Sequence, residues 1–169
     1  MVAGVSGSGK TTVGALLAGR LGWQFADADA FHPAANIAKM VAGIPLTDAD
    51  RQPWLHAITA WMDERIARGA SAVVTCSALK RAYRDELLGG RPEARMIFLS
   101  VDREEAAGRL AARHGHFFPS GLLSSQFDAL EPPEPGEPGV TVVPSGPDPA
   151  QTVAAIIAVV QDGDDEAQA

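Results

Sequence analysis

Close to its first residue the chain reads Gly4-Val5-Ser6-Gly7-Ser8-Gly9-Lys10-Thr11. This run fits the pattern of a phosphate-binding loop, in which Gly and four variable residues precede Gly-Lys and Ser or Thr. Gly7 and Gly9 allow backbone N–H groups to approach phosphate oxygens without a clash from a Cβ atom. We expect the Lys10 ammonium to reach the β- and γ-phosphates and the Thr11 hydroxyl to bind Mg²⁺. A chance glycine-rich turn is the weaker interpretation, because an apolar start precedes the loop and an amphipathic helix follows it.

Two carboxylates follow the second predicted strand, in the run Asp27-Ala28-Asp29. Alternation along a strand would place both on the same side of the chain, at a strand end where α/β sheets bind ligands. Taken alone, the run is equally well explained as a solvated turn. Beside a phosphate loop, one carboxylate can hold a metal-bound water and the other can accept a proton from a substrate hydroxyl.

The apolar residues predict an α/β fold with three layers. Strands alternate with helices about five times, which predicts a five-stranded parallel sheet with helices on both faces and right-handed crossovers. The predicted strands are 1–3, 23–26, 72–76, 96–101 and 140–143. The clearest predicted helices are 11–21, 53–68, 122–130 and 150–161. The first strand is unusually short, and the third is almost continuously apolar, as in a strand buried on both faces.

The composition argues against several classes of function. The formal charge is −7, whereas nucleic-acid-binding proteins are usually basic. Cys76 is the only cysteine, so no internal disulfide can form, and we interpret it as a small core residue. No apolar run approaches the roughly 20 residues of a membrane span, and the early position of the loop leaves no room for a signal peptide. We expect a cytoplasmic protein that binds neither nucleic acid nor a membrane.

The second half of the chain contains a candidate lid. A predicted helix carries Arg109 and Arg113 and leads into a loop with two glycines, so we predict a mobile lid at about 113–121. A lid arginine would neutralise charge on the transferring phosphoryl group. The alternative is a solvated basic helix face. We predict one domain over 1–161 and a disordered tail over 162–169, which holds four acids in eight residues.

Several later blocks of the sequence, together with the phosphate loop, resemble those of gluconokinases. The resemblance covers residues 1 to about 131 in order. Its most specific blocks are Pro53-Trp54-Leu55 and Cys76-Ser77-Ala78-Leu79-Lys80. Other matching blocks are Asp27-Ala28-Asp29 with Phe31-His32-Pro33, the run from Gly43 to Arg51, and Arg113-His114-Gly115-His116-Phe117. Three features depart from the family pattern: the first strand is clipped, Ala28 stands where the family usually has glycine, and Ala30-Phe31 replaces a bulkier pair.

The resemblance implies a P-loop kinase fold like that of the nucleoside monophosphate and shikimate kinases. It also implies ATP-dependent phosphorylation of D-gluconate to 6-phospho-D-gluconate, with ATP and Mg²⁺ as cofactors. Because members of the family are commonly homodimers, we expect a homodimer. Nearby alternatives are a kinase of the same fold that acts on another small hydroxy acid such as shikimate, and a nucleotide-dependent binder without catalysis.

The motifs and the resemblance together predict four sets of site residues. The predicted catalytic residues are Lys10, Asp29 and Arg113. The predicted ATP-binding residues are Gly4, Ser6, Gly7, Ser8, Gly9, Lys10, Thr11, Thr12 and Arg109. The predicted metal-binding residues are Thr11 and Asp27. The predicted substrate-binding residues are Asp29, His32, Lys39, Arg51, Lys80, Arg84, His116 and Gln126. Among the last set we favour Arg51 and Arg84 for the substrate carboxylate, because a guanidinium grips a carboxylate with two parallel hydrogen bonds. Each basic residue of this set could instead form a structural salt bridge.

Overall fold

The computed structural model of the chain describes residues 1–112 and 120–167. Five strands form one parallel sheet in the order β2-β3-β1-β4-β5. The strands are β1 (Val2–Ala3), β2 (Gln24–Asp27), β3 (Ala72–Cys76), β4 (Met96–Ser100) and β5 (Val140–Pro144). The helices are α1 (Lys10–Leu21), α2 (Ala34–Val41), α3 (Asp48–Ala67), α4 (Arg81–Leu88), α5 (Arg103–Ala111), α6 (Ser120–Ala129) and α7 (Pro149–Ala167). A short 3₁₀ helix, Ala28–Phe31, follows β2. The predicted five-stranded parallel sheet is confirmed.

Strand β1 has two residues and lies at the centre of the sheet. Val2 is in register with Thr75 of β3 on one side and with Ile97 of β4 on the other. Both residues of β1 are fully buried. The pairing with β3 and β4 fixes the position of this short strand. The phosphate loop follows it directly, at the carboxyl edge of the sheet, where parallel α/β folds bind ligands.

Two apolar clusters cover the two faces of the sheet. Helices α3 and α4 pack on one face, where Leu55 and Ile58 belong to the same apolar cluster as Val74 of β3. Helices α1 and α7 pack on the other face, where Val13 and Ile156 belong to the second cluster. Trp54 lies with Leu55, Ile58 and Met62 on the apolar stripe of α3, and like them it is buried in the first cluster.

Helix α3 begins earlier than the sequence analysis predicted. It begins at Asp48 rather than at Pro53, because Thr47 and Asp50 form a capping box. The Thr47 hydroxyl accepts a hydrogen bond from the Asp50 amide at 3.2 Å, and the Asp50 carboxylate accepts one from the Thr47 amide at 2.9 Å. Two satisfied donors at the helix start outweigh the proline, which prevents a single intrahelical hydrogen bond further along.

Helix α7 also extends beyond its predicted end at Gln161. It continues to Ala167 and therefore includes most of the acidic segment that we predicted to be disordered. A helix that is already nucleated by packed turns extends at little cost per residue, and this segment contains no proline to stop it. Within the described parts of the chain, no helix has both the length and the apolar character needed to cross a membrane.

Helix α1 contains two glycines that differ in what surrounds them. A Cβ atom at Gly14 would lie 2.7 Å from the Thr75 Cγ2 atom of β3, whereas a Cβ atom at Gly19 would meet nothing within 4 Å. Gly14 thus allows α1 to approach the sheet closely. Gly19 lies on the exposed side of the same helix.

We predict opposite effects for alanine at these two positions. Gly14→Ala should lower the free energy of unfolding by about 1–3 kcal/mol, because the added methyl group overpacks a buried contact. Gly19→Ala should raise it by about 0.5–1 kcal/mol, because alanine favours the helix. Urea titration of both variants would measure this. Equal effects at the two sites would contradict close packing at Gly14.

Candidate active site

Three glycines of the phosphate loop have backbone angles that disfavour other residues. The φ angles of Gly4, Gly7 and Gly9 are 136°, 80° and 87°. A Cβ atom at Gly7 would lie 2.5 Å from the Ala106 carbonyl oxygen, and one at Gly4 would lie 2.7 Å from the Leu99 carbonyl oxygen. The loop is therefore pressed against β4 and α5, and its backbone provides a cradle that only glycine can line at these points.

The loop leads directly into helix α1. Gly9 caps the helix and Lys10 is its first residue, so the positive end of the helix dipole lies at the loop. The Lys10 ammonium donates a hydrogen bond to the Val5 carbonyl at 2.9 Å, which folds the side chain back over the loop. This arrangement fits the phosphates of a nucleotide, which need amide donors, a helix start and a cation.

The two predicted carboxylates meet the loop through Asp27. The Thr11 hydroxyl donates to one oxygen of Asp27 at 3.0 Å, and the Asp29 amide donates to the other at 3.1 Å. Strand β2 ends at Asp27, so strand alternation does not reach Asp29, contrary to our argument. Instead the Asp27 side chain caps the 3₁₀ helix and brings Asp29 beside it.

The donor set at this point fits a magnesium ion that a nucleotide would complete. Thr11 and Asp27 supply two oxygen ligands within hydrogen-bonding distance of each other. Among the described residues, no three His, Cys, Asp or Glu side chains are grouped closely enough to hold a metal. Mg²⁺ typically takes only one or two protein carboxylates and completes its shell with water and substrate phosphates.

Cys76 lies at the end of β3, close to these charged groups. It is buried, as predicted for a core residue, and burial raises the pKa of its thiol to about 12. The charges of Lys10, Asp29 and Asp27 all act on this thiol. The predicted base, the predicted metal ligand and the loop lysine therefore converge at the carboxyl edge of the sheet, where Cys76 itself is an unreactive packing residue.

Trp54 supports the segment after β2 from the core. Its indole N–H donates to the Ala28 carbonyl at 2.7 Å. Its ring stacks on the His32 imidazole, with centroids 4.5 Å apart and planes 8° from parallel. Ala28 is buried in the 3₁₀ helix and has no positive φ angle, so the family's glycine is not required there. Trp54 therefore fixes both the turn and the orientation of His32.

His32 lies near both the Asp29 carboxylate and the Arg51 guanidinium. Burial lowers the pKa of its imidazole, the nearby Asp29 carboxylate raises it, and the Arg51 guanidinium lowers it. The Asn36 side-chain amide lies 3.4 Å from the imidazole Nδ1 atom and also donates to the Asp50 carbonyl at 2.8 Å. His32 is thus biased toward its neutral form, which can both donate and accept hydrogen bonds with hydroxyl groups.

A second charged cluster surrounds Asp48. The Lys80 ammonium donates to both carboxylate oxygens at 2.8 and 2.9 Å, and the Tyr83 hydroxyl donates to one of them. The Arg51 guanidinium lies 3.7 Å from the same carboxylate. These hydrogen bonds, Lys80 first, lower the pKa of Asp48. Asp48 and Tyr83 were not among our predicted site residues, because nothing in the local pattern of either residue indicates a distant partner.

Lys39 forms the structural ion pair that the sequence analysis left open. Its ammonium lies 2.6 Å from Asp50, the carboxylate that also caps α3 at Thr47. Lys39 and the Thr47 donors together lower the pKa of Asp50 to about 2. Lys39 therefore stabilises the turn between α2 and α3, next to the cluster around Asp48.

Arg84 is a buried structural residue, and our prediction that it binds substrate is corrected. Only 1% of its side chain is exposed. Its Nε and Nη2 atoms donate to the two carboxylate oxygens of Glu137 at 2.6 and 3.0 Å, and Nη1 donates to the carbonyls of Ala78, Leu79 and Glu131. The sequence placed Arg84 correctly after the third strand but could not reveal that Glu137 is its partner.

The loop after β3 connects the two halves of the site. Ala78 has a φ angle of 44° and, in the described part of the chain, no other residue except glycine has a positive φ. The Ser77 carbonyl accepts a hydrogen bond from the Gly4 amide at 3.2 Å, and Arg84 binds the next two carbonyls. The phosphate loop and Lys80 are therefore joined by a short segment with a strained turn.

The remaining predicted residues divide into those that contact the site and those outside the described residues. Gln126 accepts a hydrogen bond from the Ser6 amide at 2.7 Å, so α6 contacts the phosphate loop. Arg109 contacts the loop after β5, through Ser145 and Gly146. The Arg51 guanidinium also donates to the Leu46 carbonyl at 2.7 Å. Arg113, His116 and most of the predicted lid at 113–121 lie outside the described residues.

Comparison with known proteins agrees with this geometry. Residues 1–133 match the model of a family described as AAA domain. The chain is 50% identical over 142 residues to a gluconokinase of Gluconobacter oxydans (strain 621H), a match that covers 84% of this chain and 80% of that protein. The chain belongs to the gluconokinase family.

Solved structures of similar proteins lead to the same family. A gluconokinase from Sinorhizobium meliloti 1021 is 42% identical, with a TM-score of 0.81, over 95% of this chain and 92% of that one. A sugar kinase from Janibacter sp. HTCC2649, described as unliganded, is 46% identical, with a TM-score of 0.86 and the same coverage. The gluconokinase resemblance predicted from the sequence is thus confirmed.

The buried Arg84–Glu137 pair leads to a stability prediction. Glu137→Gln should lower the free energy of unfolding by about 3–5 kcal/mol at neutral pH, because it leaves a buried guanidinium without its counter-charge. Glu134→Gln, at an exposed position in the same segment between α6 and β5, should change the free energy of unfolding by less than about 0.5 kcal/mol. Chemical denaturation would measure both.

The same pair should depend on pH in a defined direction. Arg84 lowers the pKa of Glu137 below its usual value. The pair therefore adds stability above the usual carboxyl pKa and loses it as the pH falls through the lowered value. The difference in stability between parent and Glu137→Gln should shrink in acid. A difference that does not change with pH would contradict an ion pair.

Proposed function

We propose that this protein transfers the γ-phosphoryl group of ATP to the primary hydroxyl of D-gluconate, yielding 6-phospho-D-gluconate and ADP. The observation that carries the proposal is the Asp27 carboxylate, which joins Thr11 of the phosphate loop to the backbone of Asp29. A metal-binding pair and a proton acceptor are thus adjacent at the end of the nucleotide cradle. Membership of the gluconokinase family supports D-gluconate as the acceptor.

The nucleotide is held by the start of the chain. The amides of the loop from Gly4 to Thr12, the start of α1 and the Lys10 ammonium bind the phosphates, and Arg109 supports the same region. Thr11 and Asp27 would hold Mg²⁺, which supplies positive charge to the phosphate oxygens. These groups act on a transition state that is mostly loose, so positioning and charge neutralisation contribute more than the strength of a base.

Asp29 serves as the proton acceptor for the sugar-acid hydroxyl. As the hydroxyl oxygen bonds to the γ-phosphorus, the bond from that phosphorus to the β-phosphate oxygen breaks, and its electron pair leaves with ADP. The hydroxyl proton passes to the Asp29 carboxylate. The exposed position of Asp29 beside Asp27 and the neighbouring His32 supports this role.

The carboxylate and the remaining hydroxyls of the substrate bind to the residues after β2 and β3. Arg51 and Lys80 share the single carboxylate of Asp48, which leaves an excess of positive charge for a substrate carboxylate. Neutral His32 and the Gln126 amide supply hydrogen bonds for hydroxyl groups. Arg113 and His116 stay predictions from the resemblance, as lid residues that close over the phosphates and the substrate.

We also infer a cytoplasmic homodimer with no nucleic-acid or membrane partner. The acidic charge of −7 and the single buried cysteine support this location and the absence of a polyanionic partner. Four apolar side chains on and after α2 are exposed and could be covered by a second copy: Ile37, Met40, Val41 and Ile44. Light scattering after gel filtration and cell fractionation test these two points.

The reaction itself is tested by ADP release with a panel of acceptors. We expect turnover with D-gluconate, weaker turnover with other aldonates, and none with glucose or shikimate. Asp29→Asn should lower kcat by roughly 10²–10⁴, the range for a lost general base, whereas the exposed Asp85→Asn control should keep it. Preference for shikimate would refute the proposal. A loss of less than tenfold in Asp29→Asn would make Asp29 an orienting residue.

Substitution of Arg51 should weaken the binding of D-gluconate but not that of ATP. Arg51→Ala should raise the KM for D-gluconate by at least tenfold and leave the KM for ATP within about twofold, because one charge-assisted hydrogen bond to a carboxylate is lost. Lys39→Ala, which removes the nearby structural cation, should leave both KM values close to those of the parent. Steady-state kinetics would measure them. Equal rises in the two KM values of Arg51→Ala would indicate a structural role.

A further inference from the structure

Ser145 lies in a buried position directly after β5, at the carboxyl edge of the sheet. Only 5% of the residue is exposed, and its amide donates to the Ser100 carbonyl at 2.8 Å. Neither the sequence pattern nor the family resemblance singled it out. Its backbone is fixed by the adjacent strand, so its side chain has a defined direction.

The Ser145 hydroxyl connects the phosphate loop to Arg109. Its oxygen lies 2.7 Å from the Ser8 carbonyl and accepts a hydrogen bond from Arg109 Nη1 at 2.8 Å. A guanidinium is always protonated and can only donate, so the hydroxyl hydrogen must go to the Ser8 carbonyl. Arg109 Nη2 also donates to the carbonyls of Ser145 and Gly146 at 2.7 and 3.0 Å. The direction of the hydrogen bonds from Arg109 to Ser145 and from Ser145 to Ser8 is therefore determined.

The held carbonyl sets the direction of an amide in the loop. A trans peptide is planar, so the C=O of Ser8 and the N–H of Gly9 point in opposite directions. Because Ser145 holds the carbonyl on one side, the Gly9 amide points away from Ser145, as an amide of a phosphate cradle must. Gly7 and Gly9 flank this part of the loop, and glycine allows more backbone conformations than other residues, so an external contact favours one orientation of the peptide.

The side chain of Ser8 does not supply that contact. Ser8 is fully buried, and its hydroxyl has no hydrogen-bond partner within the described residues. The Ser8 amide donates to the Val5 carbonyl at 3.2 Å within the loop, and the hydrogen bond from Ser145 to the Ser8 carbonyl fixes this residue from outside the loop. Arg109, which also forms an ion pair with Glu105, donates to the Ser145 hydroxyl and thereby strengthens the hydrogen bond that this hydroxyl donates to Ser8.

We propose that Ser145 is a positioning residue of the nucleotide site, whose hydroxyl, supported by Arg109, holds the Ser8–Gly9 peptide in the orientation that binds nucleotide phosphates. The inference rests on the proposed function for the identity of the nucleotide. It adds a residue more than 130 positions from the loop in sequence to the machinery that binds ATP.

Ser145→Ala tests the inference. Calorimetric titration with a non-hydrolysable ATP analogue should show a Kd raised roughly tenfold, the effect of one buried hydrogen bond that leaves its acceptor unpaired. The KM for D-gluconate should stay within about twofold of the parent value. Ser145→Thr, which keeps the hydroxyl, should bind the analogue nearly as well as the parent. Melting curves establish that each variant is folded.

Thr152→Val is the matched control. Thr152 is also buried after β5, and its hydroxyl donates to the Asp148 carbonyl at 3.3 Å, away from the phosphate loop. We expect this variant to lose stability but to keep the parental Kd. An unchanged Kd in Ser145→Ala, or equal losses in Ser145→Ala and Thr152→Val, would overturn the inference. Analogue binding that depends on Ser145, in a parent without gluconate turnover, would support the inference and contradict the proposed function.

Discussion

The site depends on the pairing of β1 with β3 and β4. Strand β1 contributes only two residues, Val2 and Ala3, yet both are buried and hydrogen-bonded within the sheet from either side. The chain leaves this strand at a fixed point and enters a loop whose glycines pack within van der Waals contact of β4 and α5. Any displacement of β1 would therefore move the whole phosphate cradle relative to the carboxylates after β2. A short strand is sufficient here because its neighbours, not its own length, determine its position.

The loop after β3, which carries Lys80, is held by a different kind of interaction, the buried ion pair of Arg84 and Glu137. Arg84 and Glu137 are almost fully removed from water, and Arg84 also binds three carbonyls of the segments that it joins. Such a pair adds little net stability compared with apolar packing, but leaving either charge unpaired is costly. It therefore favours one arrangement of the loop after β3, in which Ala78 has a strained backbone and Lys80 reaches Asp48. We interpret the main role of the ion pair as fixing the conformation of the loop after β3.

Much of this architecture could be predicted from local sequence, and the rest could not for a physical reason. The phosphate loop, the buried strand at 72–76 and the core position of Trp54 follow from glycine spacing and apolar periodicity, which act within a few residues. The partners of Arg84 and of Ser8 lie 53 and 137 positions away, and no local pattern encodes them. Without its distant partner Glu137, the local sequence around Arg84 indicates only a cation after the third strand. The start of α3 differs from the prediction because the capping box of Thr47 and Asp50 begins the helix before Pro53.

Charge links these observations to the reaction. The protein as a whole carries −7, so its overall field repels both gluconate and ATP. Recognition of two anions must therefore come from local excesses of positive charge, and two of them lie among residues 1–112. One is the loop with Lys10 and the start of α1, and the other is the pair of Arg51 and Lys80 around Asp48. Asp27 and Asp29 lie beside the loop, where, in the proposed mechanism, Mg²⁺ and the proton of the substrate hydroxyl would offset their charge. An acidic chain can thus bind two anionic substrates, because the cations that matter are held close to the point of transfer while the excess acids lie elsewhere.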